Sequence, residues 1–219
     1  MSRPRQVLAA KAGIVKFLRS VIQMKNYPLR DLAVPMMCDL ANAGRRTREV
    51  ISVQGGLDIY LSLLSDRSWH SDALQAIASW TQHQVNDLEK QLIKPGNLKL
   101  LVGVFVLALE THREATIVPM LQAFEKILHH STLVKRALAS PDSGFVTVTK
   151  PLLVESPQAK ANARVTLLKI YDLLLSCNNR LLDQENLRKQ LQHMTSSDSS
   201  VLARTHASLL LDEDKRQRK

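Results

Sequence analysis

Arg48-Glu-Val-Ile-Ser-Val-Gln-Gly-Gly56, followed directly by Leu57-Asp-Ile-Tyr-Leu-Ser-Leu-Leu64, is the stretch of sequence that decides the fold. After the glycine pair, Leu57, Leu61 and Leu64 lie three or four residues apart, which is the spacing of one face of a helix. Glycine has no Cβ, so it permits a positive φ and a close approach where the chain reverses between helices. The stretch therefore predicts a short helix, a tight turn and a second helix.

The same arrangement recurs along the chain, with anchors spaced 43, 40, 48 and 42 residues apart. It appears first at Arg5-Gln-Val-Leu-Ala-Ala-Lys-Ala-Gly13 and returns at Gly96, at Gly144 and at Asn186, which replaces the glycine. Between the anchors lies a second block whose apolar residues fall at i, i+3 and i+6, and this spacing predicts a third helix. The four copies of the block are Val34-Pro-Met-Met37, Leu74-Gln-Ala-Ile77, Val118-Pro-Met-Leu121 and Val165-Thr-Leu-Leu168.

A unit of about 43 residues cannot bury its own apolar stripe, so the units are expected to stack on one another. The predicted fold class is all-α: a right-handed α-solenoid of about five armadillo-like (ARM/HEAT) three-helix repeats. One repeat domain fills residues 1–212, and the charged segment 213–219 is expected to be a disordered tail. The repeats are placed at residues 5–44, 45–86, 87–130, 131–178 and 179–212.

The composition is that of a Leu-rich helical protein. Of the 219 residues, 45% are hydrophobic but only 4% are aromatic, which leaves little material for β-rich faces. No apolar run reaches the length of about 18 residues that a membrane span needs, and the first residues do not resemble a signal peptide, so a cytoplasmic location is expected. Cys38 and Cys177 lie in apolar runs without a CxxC spacing, and both are expected to be reduced and buried.

The double glycine and the leucines of residues 55–64, preceded by Arg48-Glu-Val-Ile and repeated about every 42 residues, resemble the armadillo repeat. The second half of the chain also resembles the C-terminal non-catalytic region of the fungal septation-initiation and mitotic-exit network protein kinases and of plant MAP kinase kinase kinase epsilon. This resemblance is clear over residues 120–210 and looser over 27–65. The segments that carry it are Leu128–Leu138, Pro151–Leu153 and Ala161–Ile170.

The resemblance implies a non-catalytic protein–protein interaction module, namely the regulatory or localisation region of a Ser/Thr kinase of the septation or mitotic-exit type. The partners it implies are spindle-pole scaffold proteins, a small GTPase or a second copy of the chain, and the location it implies is the spindle pole body or the division site. The chain itself carries no Gly-rich phosphate loop and no other kinase motif, so neither catalysis nor a cofactor is expected. The adjacent His129 and His130 would point about 100° apart on a helix, so no metal site is expected there.

The third helices are expected to line the partner-binding groove with the flank that does not pack inward. Pro35 and Pro119 each remove a backbone donor from a helical pattern and are expected to kink or break their helices. The groove lacks the repeated Trp and Asn of importin-like armadillo proteins, and its polar, weakly charged residues favour an amphipathic or extended segment over a strongly basic peptide. The predicted groove residues are Pro35, Asp39, Gln75, Ser79, Pro119, Gln122, Thr166 and Lys169.

The chain carries a net charge of +10, and three arginines form a predicted basic edge in the loop between the first two repeats: Arg45, Arg46 and Arg48. A basic edge can neutralise phosphates, so the alternative function is a free-standing armadillo adaptor that binds nucleic acid or an anionic membrane. Nucleic acid is the less favoured ligand, because the few aromatic residues, Phe17 among them, are assigned to repeat cores and leave little to stack on bases.

Overall fold

The computed structural model describes residues 3–24, 27–81, 85–110, 114–154, 156 and 159–218. In these ranges the chain forms fourteen α-helices and three short 3₁₀ segments, Pro141–Ser143, Lys150–Leu153 and Leu181–Asn186, and it contains no strand. The helices are α1 (Arg3–Lys11), α2 (Ile14–Gln23), α3 (Tyr27–Ala41), α4 (Arg45–Val53), α5 (Gly56–Leu63), α6 (His70–Thr81), α7 (Val85–Leu92), α8 (Pro95–Glu110), α9 (Glu114–His130), α10 (Thr132–Ala139), α11 (Phe145–Thr149), α12 (Ala161–Leu175), α13 (Leu187–Ser197) and α14 (Val201–Gln217).

The helices fall into five consecutive sets, which we call units 1 to 5. Units 1, 2 and 3 each hold three helices: α1–α3, α4–α6 and α7–α9. In unit 4 the second helix is split into α11 and the 3₁₀ segment Lys150–Leu153, between α10 and α12. Unit 5 has the 3₁₀ segment Leu181–Asn186 in the place of a first helix, followed by α13 and α14. The predicted all-α solenoid is confirmed.

A left-handed residue makes the turn into the second helix of units 1, 2, 4 and 5. A positive φ strains residues that carry a Cβ, and glycine and, to a lesser degree, asparagine tolerate it. In unit 3, Pro95 opens α8 at the first helical position instead, where its missing N–H is not needed, and Gly96 lies inside the helix. The residues that make these turns are Gly13 (φ 86°), Gly55 (φ 72°), Gly144 (φ 67°) and Asn186 (φ 57°), and in unit 5 the preceding Glu185 is also left-handed (φ 50°).

The third helices pack in series, α3 on α6, α6 on α9, α9 on α12 and α12 on α14, and give the solenoid one continuous core. The apolar stripes that define them, such as Val34 with Met37 on α3, are fully buried. Aromatic rings join units 3 and 4, because the Phe145 ring lies 5.3 Å from that of Phe124 and 6.3 Å from that of Tyr171, centroid to centroid.

Three local expectations are wrong. No break occurs at Pro35 or Pro119, because α3 and α9 run unbroken through them; each proline removes a single hydrogen bond while the opposite face of its helix stays buried. Cys177 is exposed because it lies two residues past the end of α12, whereas Cys38 is half-buried and burial raises the pKa of its thiol to about 12. Phe17 is 62% exposed rather than part of the core.

The expected disordered tail is also wrong, because α14 continues to Gln217. Asp214, within the segment assigned to the tail, is fully buried on α14. Its carboxylate lies 2.6 Å from Arg188 Nη1 of α13 and 3.1 Å from Arg218 Nε. Arg218 Nη2 also reaches Asp183 at 2.8 Å. These ion pairs hold the last turns of α14 against α13 and the 3₁₀ segment Leu181–Asn186.

Candidate partner-binding surface

The third helices present a row of exposed side chains across units 1 to 4, which we call the third-helix surface. Pro35 and Asp39 are exposed on α3, Gln75 on α6, Gln122 on α9 and Lys169 on α12. Because these helices pack in series, the five residues lie on neighbouring helices of the same layer. The structure therefore places five of the eight predicted groove residues where a partner can reach them.

Three of the predicted groove residues are less accessible. Ser79 and Pro119 are half-buried, and Ser79 Oγ lies 2.7 Å from Asn42 Oδ1, a contact that ties α6 to the end of unit 1. Thr166 is buried, and its hydroxyl donates to the Asn162 carbonyl one turn earlier at 2.8 Å. Thr166 is therefore wrong as a groove residue, because satisfying the hydroxyl within its own helix lets the side chain pack in the core.

The sequence prediction missed carboxylates on the same helices. Burial raises the pKa of Asp72 on α6, and the nearby His70 offsets part of this effect. Burial, and then the charge of Glu213 on α14, raise the pKa of Asp172 on α12, while His206 lowers it. The proximity of Asp172 to a residue 41 positions later depends on how α12 packs on α14, so no local sequence signal reveals it. With Asp39, these groups place a carboxylate on each of α3, α6 and α12.

The predicted basic edge is wrong at Arg48. Residues 45–53 form α4 rather than a loop, and Arg48 is only 6% exposed. Its Nη1 donates to the Ala43 carbonyl at 2.5 Å, which caps the end of α3, and burial lowers its pKa. Arg45 pairs with Glu49 at 2.9 Å, so Arg46 is left as the unpaired charge of the three. In the described part of the chain, no helix combines the length and apolar character that crossing a membrane requires.

Among solved structures, a designed armadillo repeat protein matches this solenoid with a TM-score of 0.69, covering 96% of this chain and 86% of the design. The chain has the fold of armadillo-repeat proteins. The two sequences are 18% identical, so the shared property is the fold: stacked helical units held together by one core. The third-helix surface is thus one side of a regular layer of helices.

Two curated proteins are similar to this chain over nearly its whole length. MAP3K epsilon protein kinase 1 of Arabidopsis thaliana is 33% identical over 225 residues, which cover 96% of the chain, and cytokinesis protein sepH of Aspergillus niger is 28% identical over 220 residues, which cover 99%. The similarity therefore extends well beyond residues 120–210 and 27–65. The chain spans 16% of the length of either relative. No protein-family model matches the chain.

Proposed function

We propose that this armadillo-repeat chain is a non-catalytic protein–protein interaction module, the regulatory or localisation region of a Ser/Thr kinase of the septation or mitotic-exit type. The observation that carries the proposal is the similarity of nearly the whole chain to 16% of a MAP3K epsilon kinase and of a cytokinesis protein. Stacked helical units offer an extended surface in which each unit contacts only its neighbours, and such surfaces serve binding. In this proposal the chain binds the partner protein, and catalysis takes place in a different part of the kinase.

The third-helix surface is the proposed contact site. Its exposed residues include two uncharged amides, Gln75 and Gln122, and single charges at Asp39 and Lys169. Amides can donate to and accept from a peptide backbone, whereas widely spaced charges give little attraction to a strongly basic ligand. The surface therefore suits an amphipathic helix or an extended segment of a spindle-pole scaffold protein or a small GTPase.

A charge-reversal variant tests the contact site. Chain carrying Gln75→Glu, Gln122→Glu and Lys169→Glu is compared with wild type by quantitative affinity purification from dividing cells. We expect recovery of the specific partner to fall roughly tenfold or more, because the three glutamates place unpaired carboxylates in the contact. A control with Arg46→Glu and Arg136→Glu changes the net charge by the same four units on exposed first-helix positions and should keep the partner.

Both variants must melt at the temperature of wild type, since every substituted residue is exposed. If the triple variant recovers the same partners as wild type, the third-helix surface is not the site. The location is tested with the same proteins: a fluorescent fusion of wild type should concentrate at the spindle pole or division site, and the triple variant should disperse. A wild-type fusion that stays evenly distributed through division would contradict the localisation role.

A further inference from the structure

Exposed apolar side chains are concentrated at the start of the solenoid. Among the described residues, thirteen large apolar side chains are exposed: six in unit 1, three in unit 5 and one or two in each of units 2, 3 and 4. In unit 1 they include Leu32 and Met36 on α3, which are 67% and 49% exposed. Single exposed apolar residues are ordinary on protein surfaces, but a group of them on one element marks a contact site.

The position of Met36 shows what is missing from this end. Its counterparts in the repeated third-helix block are Ala76, Met120 and Leu167, which are 2%, 0% and 0% exposed. Each counterpart lies on a third helix that packs on the third helix of the preceding unit. Among the described residues, α3 has no third helix before it, and Met36 is exposed.

A cavity of about 450 Å³ opens beside Met36 between α1, α2 and α3. Its lining includes Gln6 of α1, Ile14 and Leu18 of α2, and Asp39 and Asn42 at the end of unit 1. The cavity combines an apolar floor with two amides and one carboxylate. It therefore offers both apolar burial and hydrogen-bonding groups to whatever enters it.

Three residues of this cavity have counterparts in unit 2. For α1 and α2, the register follows from the left-handed glycines that open the second helices, Gly13 and Gly55. For α3, it follows from the repeated third-helix block. The corresponding pairs are Gln6 with Arg48, Leu18 with Tyr60, and Asp39 with Ser79.

In unit 2 the three counterparts all contact the end of α3, which fills the equivalent place. One of them binds a backbone carbonyl within the last turns of that helix, and the other two contact residues one and two positions beyond its end. The three contacts are Arg48 Nη1 to the Ala43 carbonyl at 2.5 Å, the Tyr60 hydroxyl to the Met37 carbonyl at 2.6 Å, and Ser79 Oγ to Asn42 Oδ1 at 2.7 Å. The interface between units 1 and 2 thus shows what kind of element fits the open cavity of unit 1.

We propose that the end face of unit 1, formed by Leu32, Met36 and the cavity, binds an amphipathic α-helix of a partner protein in the way that unit 2 holds α3. The C-terminal end of that helix brings a free carbonyl to the Gln6 amide, because the last carbonyls of a helix lack partners within it. Aliphatic side chains of the helix cover the exposed Leu32 and Met36, and a side-chain N–H donates to the Asp39 carboxylate. The partner helix would pack on the end face of unit 1, away from Gln75, Gln122 and Lys169 of the third-helix surface.

The probe for this site is α3 itself, added as a separate peptide. A fluorescein-labelled peptide of residues 27–43 carries Met37, Asn42 and Ala43, and a hydrocarbon staple across positions 32 and 36, which are exposed in the chain, holds it helical. We expect fluorescence anisotropy to show saturable binding to the full 219-residue chain. Binding to a Met36→Glu chain should be weaker by roughly tenfold or more, because the docked helix would bury the new carboxylate.

The matched control is Val53→Glu, which replaces an apolar residue that is 89% exposed on α4 and should leave the affinity unchanged. Equal binding to wild type and Met36→Glu, or no binding to wild type, would overturn the proposal. Sedimentation velocity of the peptide-free chain tests whether a second copy of the chain occupies the face instead. Dimers that form with rising concentration and disappear in Met36→Glu would assign the face to a second copy and reject the partner helix. The Gln75, Gln122 and Lys169 triple variant should bind the peptide normally, which separates this site from the third-helix surface.

Discussion

The ion pair between Arg164 and Asp198 is buried where unit 4 meets unit 5. Arg164 Nε lies 2.8 Å from Asp198 Oδ2, and Nη2 donates to Oδ1 at 2.8 Å, so two guanidinium nitrogens contact the two carboxylate oxygens. The two side chains are 1% and 3% exposed. Arg164 Nη1 also donates to the Ala159 carbonyl at 2.5 Å, and the Ser200 N–H donates to Asp198 Oδ1 at 2.8 Å. The pair therefore joins α12 to the connection between α13 and α14.

Replacing Asp198 with alanine should leave the guanidinium of Arg164 buried without its counter-charge. Breaking a buried pair from one side costs about 3–5 kcal/mol of unfolding free energy. For a chain of this length, each kcal/mol lowers the melting temperature by about 2–4 °C, so we expect a loss of about 6–20 °C. The double variant Arg164→Met with Asp198→Leu removes both charges and should recover most of the loss.

Guanidinium denaturation followed by far-UV circular dichroism measures the unfolding free energies of wild type, Asp198→Ala and the double variant. Hydrogen exchange then locates the damage. Because each unit of a solenoid contacts only its neighbours, protection in Asp198→Ala should fall first in residues 179–217 and remain in units 1 to 3. A loss below about 1 kcal/mol for Asp198→Ala, or a uniform loss of protection along the chain, would refute the reasoning.

Three further predictions concern the thiols, the glycines and the C-terminal helix. Iodoacetamide at about pH 8 should modify Cys177 alone in the folded chain, because the thiol of Cys38, with a pKa near 12, holds almost no thiolate. Intact-protein mass should show one adduct, and two adducts before unfolding would contradict this. Gly56→Ala should lower the unfolding free energy by about 1–3 kcal/mol, because the new methyl group would overlap an isoleucine of α4. Gly103→Ala, with open space around it in α8, should raise the unfolding free energy by about 0.5–1 kcal/mol, and thermal melts compare the two. Ending the chain at Asp212 removes the buried carboxylate of α14 and should cost about 1–3 kcal/mol by the same assay, and an unchanged melt would restore the tail as dispensable.

The fold was predictable because its signals are local. The glycine anchors mark left-handed turns at Gly13, Gly55 and Gly144, and the i, i+3, i+6 spacing marks helices whose stripes are buried. These patterns repeat within a few residues, so sequence alone reveals them. The prediction of about five stacked units needed nothing more than their recurrence.

The misplaced residues are those whose environment is set by distant partners. The run of arginines predicts an exposed charge at Arg48, but its guanidinium is buried and donates a hydrogen bond to the Ala43 carbonyl, just beyond the end of α3. Asp214 was assigned to a disordered tail because a run of charges predicts solvation, yet Arg188 on the neighbouring helix pairs with it in the core. Such contacts depend on the angle at which two helices pack. No periodicity along the chain encodes that angle.

The left-handed turn limits which residues each unit can carry. Asn186 occupies the backbone conformation that Gly13, Gly55 and Gly144 adopt elsewhere, so these units share a backbone angle rather than an amino acid. In the same way, Ala76, Met120 and Leu167 share burial rather than a particular side chain. A substitution within a unit should be tolerated as long as it keeps the angle and the burial. Very different sequences can therefore adopt the same fold: this chain and a designed armadillo repeat protein match with a TM-score of 0.69 at 18% identity.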